Sequence, residues 1–401
     1  MQTSRFLARL GRRIEESGLP LAVRLWNGAS AGAPQPQVTI TVRHPLALAT
    51  LGNPTAGGLA ARYVEEQIDF EGPIREVVGL GAALAGATEG VSLPARRLAR
   101  WARHTRLFDR KAVSSHYDVG DNFFSLWLDP RRVYSCAYYR RADDTLDIAQ
   151  EQKLDHICRK LRLAAGERFL DIGCGWGALV MWAAERYGVQ ALGVTLSRNQ
   201  HEYARARIRE LGLEGRCEVR LLDYRDVPEE RSFDKIASVG MFEHVGRDNL
   251  GAYFGKIARL LRPGGLVLNH GINLGAPRLR ELGSDISEFI ERYVFPGGEL
   301  THISVAMEEM SAHGLECWDV ESLRPHYART LWHWVERLEA NRAAAVAAVG
   351  ERLYRIWRIY MAGSAHSFER GWVSVHQVLA GKPLAGGALE LPGTRDYIYA
   401  R

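Results

Sequence analysis

The sequence predicts an α/β protein: a mostly parallel sheet covered by helices on both faces, preceded by a smaller α+β unit. Three observations carry this. From about Gly166 onward, short apolar runs alternate with helical stretches. The first hundred residues instead hold two short alternating runs set off by proline and glycine. A glycine-rich turn joins the first apolar run of the later part to a helix. A chain of 401 residues accommodates two domains. The expected division is an N-terminal α+β domain over 1–92, a basic linker helix over 93–112 and a larger domain over 113–401 carrying the chemistry.

In the first part, LAVRLW (Leu21 to Trp26) and VTITVR (Val38 to Arg43) alternate apolar and polar residues as half-buried strands do. Pro34, Pro36, Pro45 and the Gly52–Asn53–Pro54 turn punctuate them. Between Leu93 and Lys111, the residues Leu98, Trp101, Thr105 and Phe108 recur near helical spacing while arginines crowd the other faces. Such a helix suits an anionic lipid surface, at about 1 kcal/mol per basic group near it. It equally suits a linker with a solvated basic face. The later strands are RFLDIG, QALGVTL, CEVRLLD, FDKIASVG and GGLVLNHG, with helices such as NQHEYARARIRELG and LGAYFGKIARLL between them.

Composition narrows the classes. A 46% hydrophobic share with 25% charged residues is that of a globular protein with a sizeable core. The net charge of +5 favours an anionic surface or ligand without specifying one. Five cysteines with no CxxC pairing argue against a disulfide framework or zinc cage and fit a reducing cytoplasm. The N-terminus has arginines but no long apolar core, unlike a secretory signal. The longest apolar stretch, Val77 to Thr88, is far below the ~20 residues of a bilayer span, so membrane contact is expected to be peripheral.

The strongest local motif is FLDIGCGWG, Phe169 to Gly177. A strand ends at Asp171, and Gly173, Gly175 and Gly177 then form a tight loop that lets backbone approach a ligand. The spacing is GxGxG, not the GxGxxG of dinucleotide enzymes, although a glycine loop alone leaves a nicotinamide cofactor open. The second strand runs into VTLSRNQ, where Gln200 replaces the usual ribose-binding acid. The third ends in LLDY, where Asp223 can accept from an adenine amine and Tyr224 can stack on the ring; helix capping and core packing are their plainer roles. Together these favour S-adenosylmethionine.

Read jointly, SSHYDVGDNFF (Ser114 to Phe124), YSCAYY (Tyr134 to Tyr139), LDIGCGWG, GVTLSRNQ, MFEHVG (Met241 to Gly246), YVFPGG (Tyr293 to Gly298) and HYARTLWHW (His326 to Trp334) resemble the cyclopropane-fatty-acyl-phospholipid synthase family. The resemblance implies a Rossmann-like S-adenosylmethionine methyltransferase domain. It places Tyr134 and Ser135, with Gly173 and Gly175, at the methionine end of the cofactor. Thr195, Leu196, Ser197 and Gln200 would hold the ribose region, and Tyr224 the adenine. It further implies a bicarbonate ion held by Cys136, Glu243, His270, Ile272 and Tyr327.

The implied chemistry explains such a set. An alkene is a poor nucleophile, so the sulfonium methyl must be held in line with it. Transfer leaves a carbocation, and a base must remove a proton without capturing that cation. Bicarbonate is small and weakly nucleophilic. Its hydroxyl can donate to Glu243 while Tyr327, His270 and backbone N–H groups donate to its other oxygens. Tyr117, Phe295 and Tyr327 would line the substrate and stabilise the cation with their ring faces. Where many relatives carry a cysteine in the YMAGSAHSFERG segment, this chain has Ser364, which argues against a thiol nucleophile there. Each group also has a plainer role: Cys136 as a buried small hydrophobe, Glu243 with His270 as a structural pair, Tyr327 as core. The long N-terminal part resembles that of the phospholipid-acting members, implying a lipid-binding domain, a homodimer, and a cytoplasmic enzyme peripheral to the inner membrane face. No nucleic-acid partner and no metal are expected. A methylene or methyl-branched product, a non-catalytic lipid-binding protein and a nicotinamide oxidoreductase remain the alternatives.

Overall fold

A computed structural model describes residues 2–86, 120–230, 232–277, 284–294 and 299–399, and the chain divides into two compact units. The first contains the described residues up to 86 together with 284–294 and 338–367. Its opening helix, Gln2–Ser17, buries Leu7, Leu10 and Ile14 on one stripe and leaves Arg5, Arg9 and Arg12 exposed on the other. Four short strands follow: β1 (Leu21–Arg24), β2 (Ser30–Gly32), β3 (Val38–Val42) and β4 (Ile68–Glu71), in the order β2-β1-β3-β4. Strands β1 and β3 are the two read from alternation; they pair parallel, and β2 and β4 add antiparallel edges.

A boundary at residue 92 does not capture this unit. Arg355, from the far end of the chain, is 5% exposed and donates to the Tyr63 carbonyl at 3.1 Å. It also pairs with Glu351 at 2.8 Å, while Arg358 donates to the Tyr63 hydroxyl at 2.9 Å. Buried guanidinium groups need such partners, and Tyr63, which serves both arginines, lies some 290 residues away in sequence. The 93–112 segment lies outside the described residues.

The second unit holds a seven-stranded sheet ordered β10-β11-β9-β8-β5-β6-β7. The five strands read from sequence are β5 (Arg168–Ile172), β6 (Gln190–Thr195), β7 (Cys217–Leu221), β8 (Phe233–Val239) and β9 (Leu261–Leu274). All four pairings among them are parallel. Two further strands, β10 (Glu316–Ser322) and β11 (Val373–Gly381), close one side antiparallel. This is the Rossmann-like α/β architecture expected. Apolar clusters fill both faces, one around Trp182, Ala183 and Phe169 and the other around Tyr253, Phe254 and Ile257. Because β5 leads to β6 on one side and lies beside β8 on the other, a crevice opens at their C-terminal ends.

Candidate active site

That crevice is lined by the ends of four parallel strands. From β5 come Asp171, Gly173 and Gly175; from β6, Thr195 and Leu196; from the turn after β7, Asp223 and Tyr224; and from the end of β8, Val239 and Gly240. Gly173 and Gly175 have φ of 79° and 56°, the left-handed region that favours glycine. A Cβ on Gly173 would also come within 2.8 Å of the Met241 side chain. Gln200 completes the far wall, held by the Thr195 hydroxyl donating to its Oε1 at 2.9 Å.

Two of the sequence-based assignments shift. Ser197 does not line the crevice: it is 1% exposed and caps helix Arg198–Glu210, accepting from the Gln200 N–H at 3.3 Å. Asp223 does line it, but its carboxylate already accepts from Arg225, at 2.8 Å from Nε and 2.6 Å from Nη2. It also caps the following turn through the Arg225 N–H. Its plainer capping role is therefore the one seen. Tyr224 sits beside it, edge-on to Tyr253 at 5.4 Å.

Tyr134 and Ser135, at the start of the irregular segment Tyr134–Tyr139, also line the crevice. A buried segment without regular structure must find partners for its backbone. Gln150 donates to the Ser135 carbonyl at 2.9 Å, and Ala137 N–H donates to the Thr330 hydroxyl at 3.1 Å. Tyr139 N–H donates to His326 Nδ1 at 3.0 Å. The Tyr134 ring packs on Trp127 and Trp334, with centroids 5.7 and 5.2 Å away. So the HYARTLWHW motif, on helix Arg324–Ala340, holds the YSCAYY motif in place.

The proposed proton-handling residues form a second group, knitted through β9 and β11. Glu243 Oε1 accepts from the Ile272 N–H at 2.6 Å, while its Oε2 is buried with no partner among the described residues. Gly271 makes this approach possible, since any Cβ there would collide with the Phe242 ring. Burial pushes the Glu243 carboxyl up to about 7, although the Ile272 N–H opposes the shift. Burial likewise lowers His270 to about 3, so its ring is neutral. With the Gln377 amide nitrogen 3.2 Å from Nδ1, the ring proton sits on Nε2. Ile272 pairs with Val375, whose carbonyl accepts from Leu323 N–H at 2.9 Å. The Leu323 carbonyl in turn accepts from the Tyr327 N–H at 3.0 Å and faces Cys136 Sγ at 3.8 Å. Burial pushes the Cys136 thiol well up, so it stays protonated. The resemblance places Ile272 among the residues holding the anion; in the structure its N–H donates to Glu243. Tyr117 and Phe295 lie outside the described residues.

Sequence reading missed the inward face of helix Leu146–Lys160, where Gln150, Lys153, His156 and Lys160 are all buried. The signal was there: these polar residues recur at helical spacing beside the apolar ones rather than opposite them. Lys153 lines the crevice and donates to the Ser135 hydroxyl at 2.9 Å. Burial lowers its ammonium to about 8, while the same crevice pushes the Asp171 carboxyl up to about 7. Among the described residues no cluster could hold a metal ion, and no helix is long and apolar enough to cross a membrane.

Residues 104–378 match the family model described as mycolic acid cyclopropane synthetase. A "probable fatty acid methyltransferase" from Pseudomonas putida is 46% identical over 98% of this chain and 100% of its own length. The solved cyclopropane synthase MmaA2 from Mycobacterium tuberculosis superposes with a TM-score of 0.65 at 35% identity, covering 68% of this chain and 98% of that one. The mycolic acid cyclopropane synthase CmaA1, solved in complex with SAH and CTAB, gives 0.65 at 38% identity over the same shares.

Proposed function

The chain belongs to the mycolic acid cyclopropane synthetase family and is an S-adenosylmethionine-dependent methyltransferase acting on lipids; we propose that it adds one carbon to the double bond of unsaturated phospholipid acyl chains and closes a cyclopropane ring. The observation that carries this reading is a buried, unpartnered Glu243 oxygen, held by the Ile272 N–H of β9, on the same strand that carries the neutral His270. Such groups can direct proton removal while adding little fixed charge beside an apolar substrate.

The cofactor fits the crevice residues. Gly173 and Gly175 clear space for its backbone-hugging end, and Asp171 Oδ1, buried with no partner among the described residues, suits an ammonium group. When bound, S-adenosylmethionine supplies the transferable methyl. Bicarbonate, when bound, supplies a weakly nucleophilic base. The chain's own part is to hold that base: Glu243 Oε2 would accept its hydroxyl, with His270 and Tyr327 donating to its oxygens. Cys136, protonated and buried, would shape the pocket rather than attack.

A phospholipid substrate is suggested by the chain before the family match: the mycolic acid synthetase model begins at residue 104, whereas the Pseudomonas putida relative matches 98% of this chain. The exposed Arg5, Arg9 and Arg12 stripe suits peripheral contact with anionic lipid at the inner membrane face. A second reading is favoured by that relative's description as a fatty acid methyltransferase: a methylene or methyl-branched product. Incubation with S-adenosylmethionine, bicarbonate and liposomes of cis-unsaturated phospholipid tests both. An ozone-resistant product heavier by one methylene identifies the ring. An ozone-cleavable methylene, or a methyl branch with the double bond reduced, identifies the alternative. Lipid unchanged by enzyme with cofactor bound would sink the proposal.

A further inference from the structure

Lys153 is a buried cation that the chain itself leaves under-partnered. It projects from helix Leu146–Lys160 and is 2% exposed. Among the described residues its ammonium makes one hydrogen bond, 2.9 Å to the Ser135 hydroxyl, and no ion pair. An ammonium has three protons to donate, and leaving them unused away from water is costly. On the same crevice wall, Asp171 is 2% exposed and its Oδ1 has no partner among the described residues. Lys153 feels the field of Asp129 and then of Asp171, and makes an ion pair with neither among the described residues; the Asp129 carboxylate is taken by the Arg131 and Val133 N–H groups. A crevice that keeps opposite charges apart, each unsatisfied, is shaped for a ligand group that is itself zwitterionic.

We propose that Lys153 binds the α-carboxylate of the cofactor's methionine end, acting with the Ser135 hydroxyl, while Asp171 takes the α-ammonium. Because Ser135 Oγ accepts from Lys153, its own proton is turned away from the lysine and available to the same carboxylate. The lysine thus both donates directly and orients its neighbour. A charge-assisted pair of donors gives the crevice a preference for ligands carrying the amino-acid tail over those ending at the thioether.

The inference rests on the cofactor reading above, and its test separates the two. Calorimetry on the full chain compares S-adenosylhomocysteine with 5′-methylthioadenosine, which has the same nucleoside and thioether but no amino-acid tail. Lys153→Met, near-isosteric and uncharged, is expected to weaken S-adenosylhomocysteine about 10- to 100-fold. Methylthioadenosine affinity should stay within about two-fold. Equal losses for both ligands would make Lys153 a structural residue and overturn the proposal, as would no loss for either. Failure of the parent chain to bind S-adenosylhomocysteine would overturn the cofactor reading instead. If Lys153→Met does not fold, the decarboxylated cofactor analogue on the parent chain replaces it. Loss of the carboxylate should then cost a similar factor, and an unchanged affinity would overturn the proposal.

Discussion

The cofactor crevice and the Glu243–His270 group lie on the same sheet yet treat charge in opposite ways. In the crevice, Asp171 and Lys153 are buried within reach of each other's field without pairing, and each shift leaves the group able to ionise near neutral pH. Around β9 and β11, burial holds His270 neutral and Cys136 protonated, and brings Glu243 to the edge of neutrality. One region keeps charge ready for a charged ligand. The other holds charge down at the imidazole and the thiol and leaves Glu243, raised to about 7 like Asp171, to change charge beside the substrate. The contrast comes from where each group sits: Asp171 and Lys153 open into the crevice, whereas Ile272 on β9 and Gln377 on β11 each bond one side of Glu243 and His270.

The largest effect that sharpens this contrast is expected at the second region. Glu243→Gln keeps the shape and the Ile272 hydrogen-bond acceptor but removes the ionisable oxygen. Turnover should fall about 10²- to 10⁴-fold, with S-adenosylhomocysteine affinity within a few-fold. His270→Asn should behave alike. If cofactor affinity collapsed in step with turnover, the two regions would be one functional unit and the comparison would break.

The next effect is a pH dependence in the crevice. Asp171 must be ionised to hold an ammonium, and burial has raised it to about 7, so cofactor affinity should fall as pH drops through about 7. Lys153 must be protonated to hold a carboxylate, and it has been lowered to about 8, so affinity should fall again as pH rises through about 8. Asp129, Asp171, Cys136 and Cys158 are the groups whose charge Lys153 feels; burial raises all four, the two thiols stay protonated, and Asp171 titrates in this window together with the lysine. Calorimetry across pH 5.5 to 9.5 should give a bell, within the ordinary ~1 kcal/mol per unit of pH of such linkage. Asp171→Asn should weaken binding about tenfold at its optimum and abolish the acid limb. Lys153→Met should remove the part of the alkaline limb that belongs to the lysine. A parent profile flat across this range would mean neither charge is used.

The crevice was legible in sequence because its residues are local to strand ends. The glycine loop, VTLSRNQ and LLDY each announce a turn after an apolar run, and a parallel sheet brings such turns together. The second region was legible only through the family resemblance. Nothing in the spacing of Glu243, His270 and Tyr327 says that β11 will insert beside β9 and link them. Lys153 and Gln150 escaped because lysine and glutamine on a helix usually face water, although their spacing sets them beside the apolar residues. The first unit's borrowed segments escaped for a related reason. Arg355 and Tyr63 are partners through burial, and no local pattern in either segment points to the other.

Ser197 gives the smallest effect and the finest division between resemblance and geometry. The resemblance assigns it to the ribose region, whereas the structure makes it the cap of helix Arg198–Glu210. A serine cap is worth about 1 kcal/mol of stability, and its loss frees one N–H at the helix start. Ser197→Ala should therefore lower the unfolding free energy by about 1 kcal/mol in a denaturant titration. Cofactor affinity should change by less than about threefold, because Gln200 is held independently by the Thr195 hydroxyl. A tenfold loss of affinity with unchanged stability would reverse the assignment. It would mean that the crevice reshapes around its ligand enough to bring Ser197 into the wall.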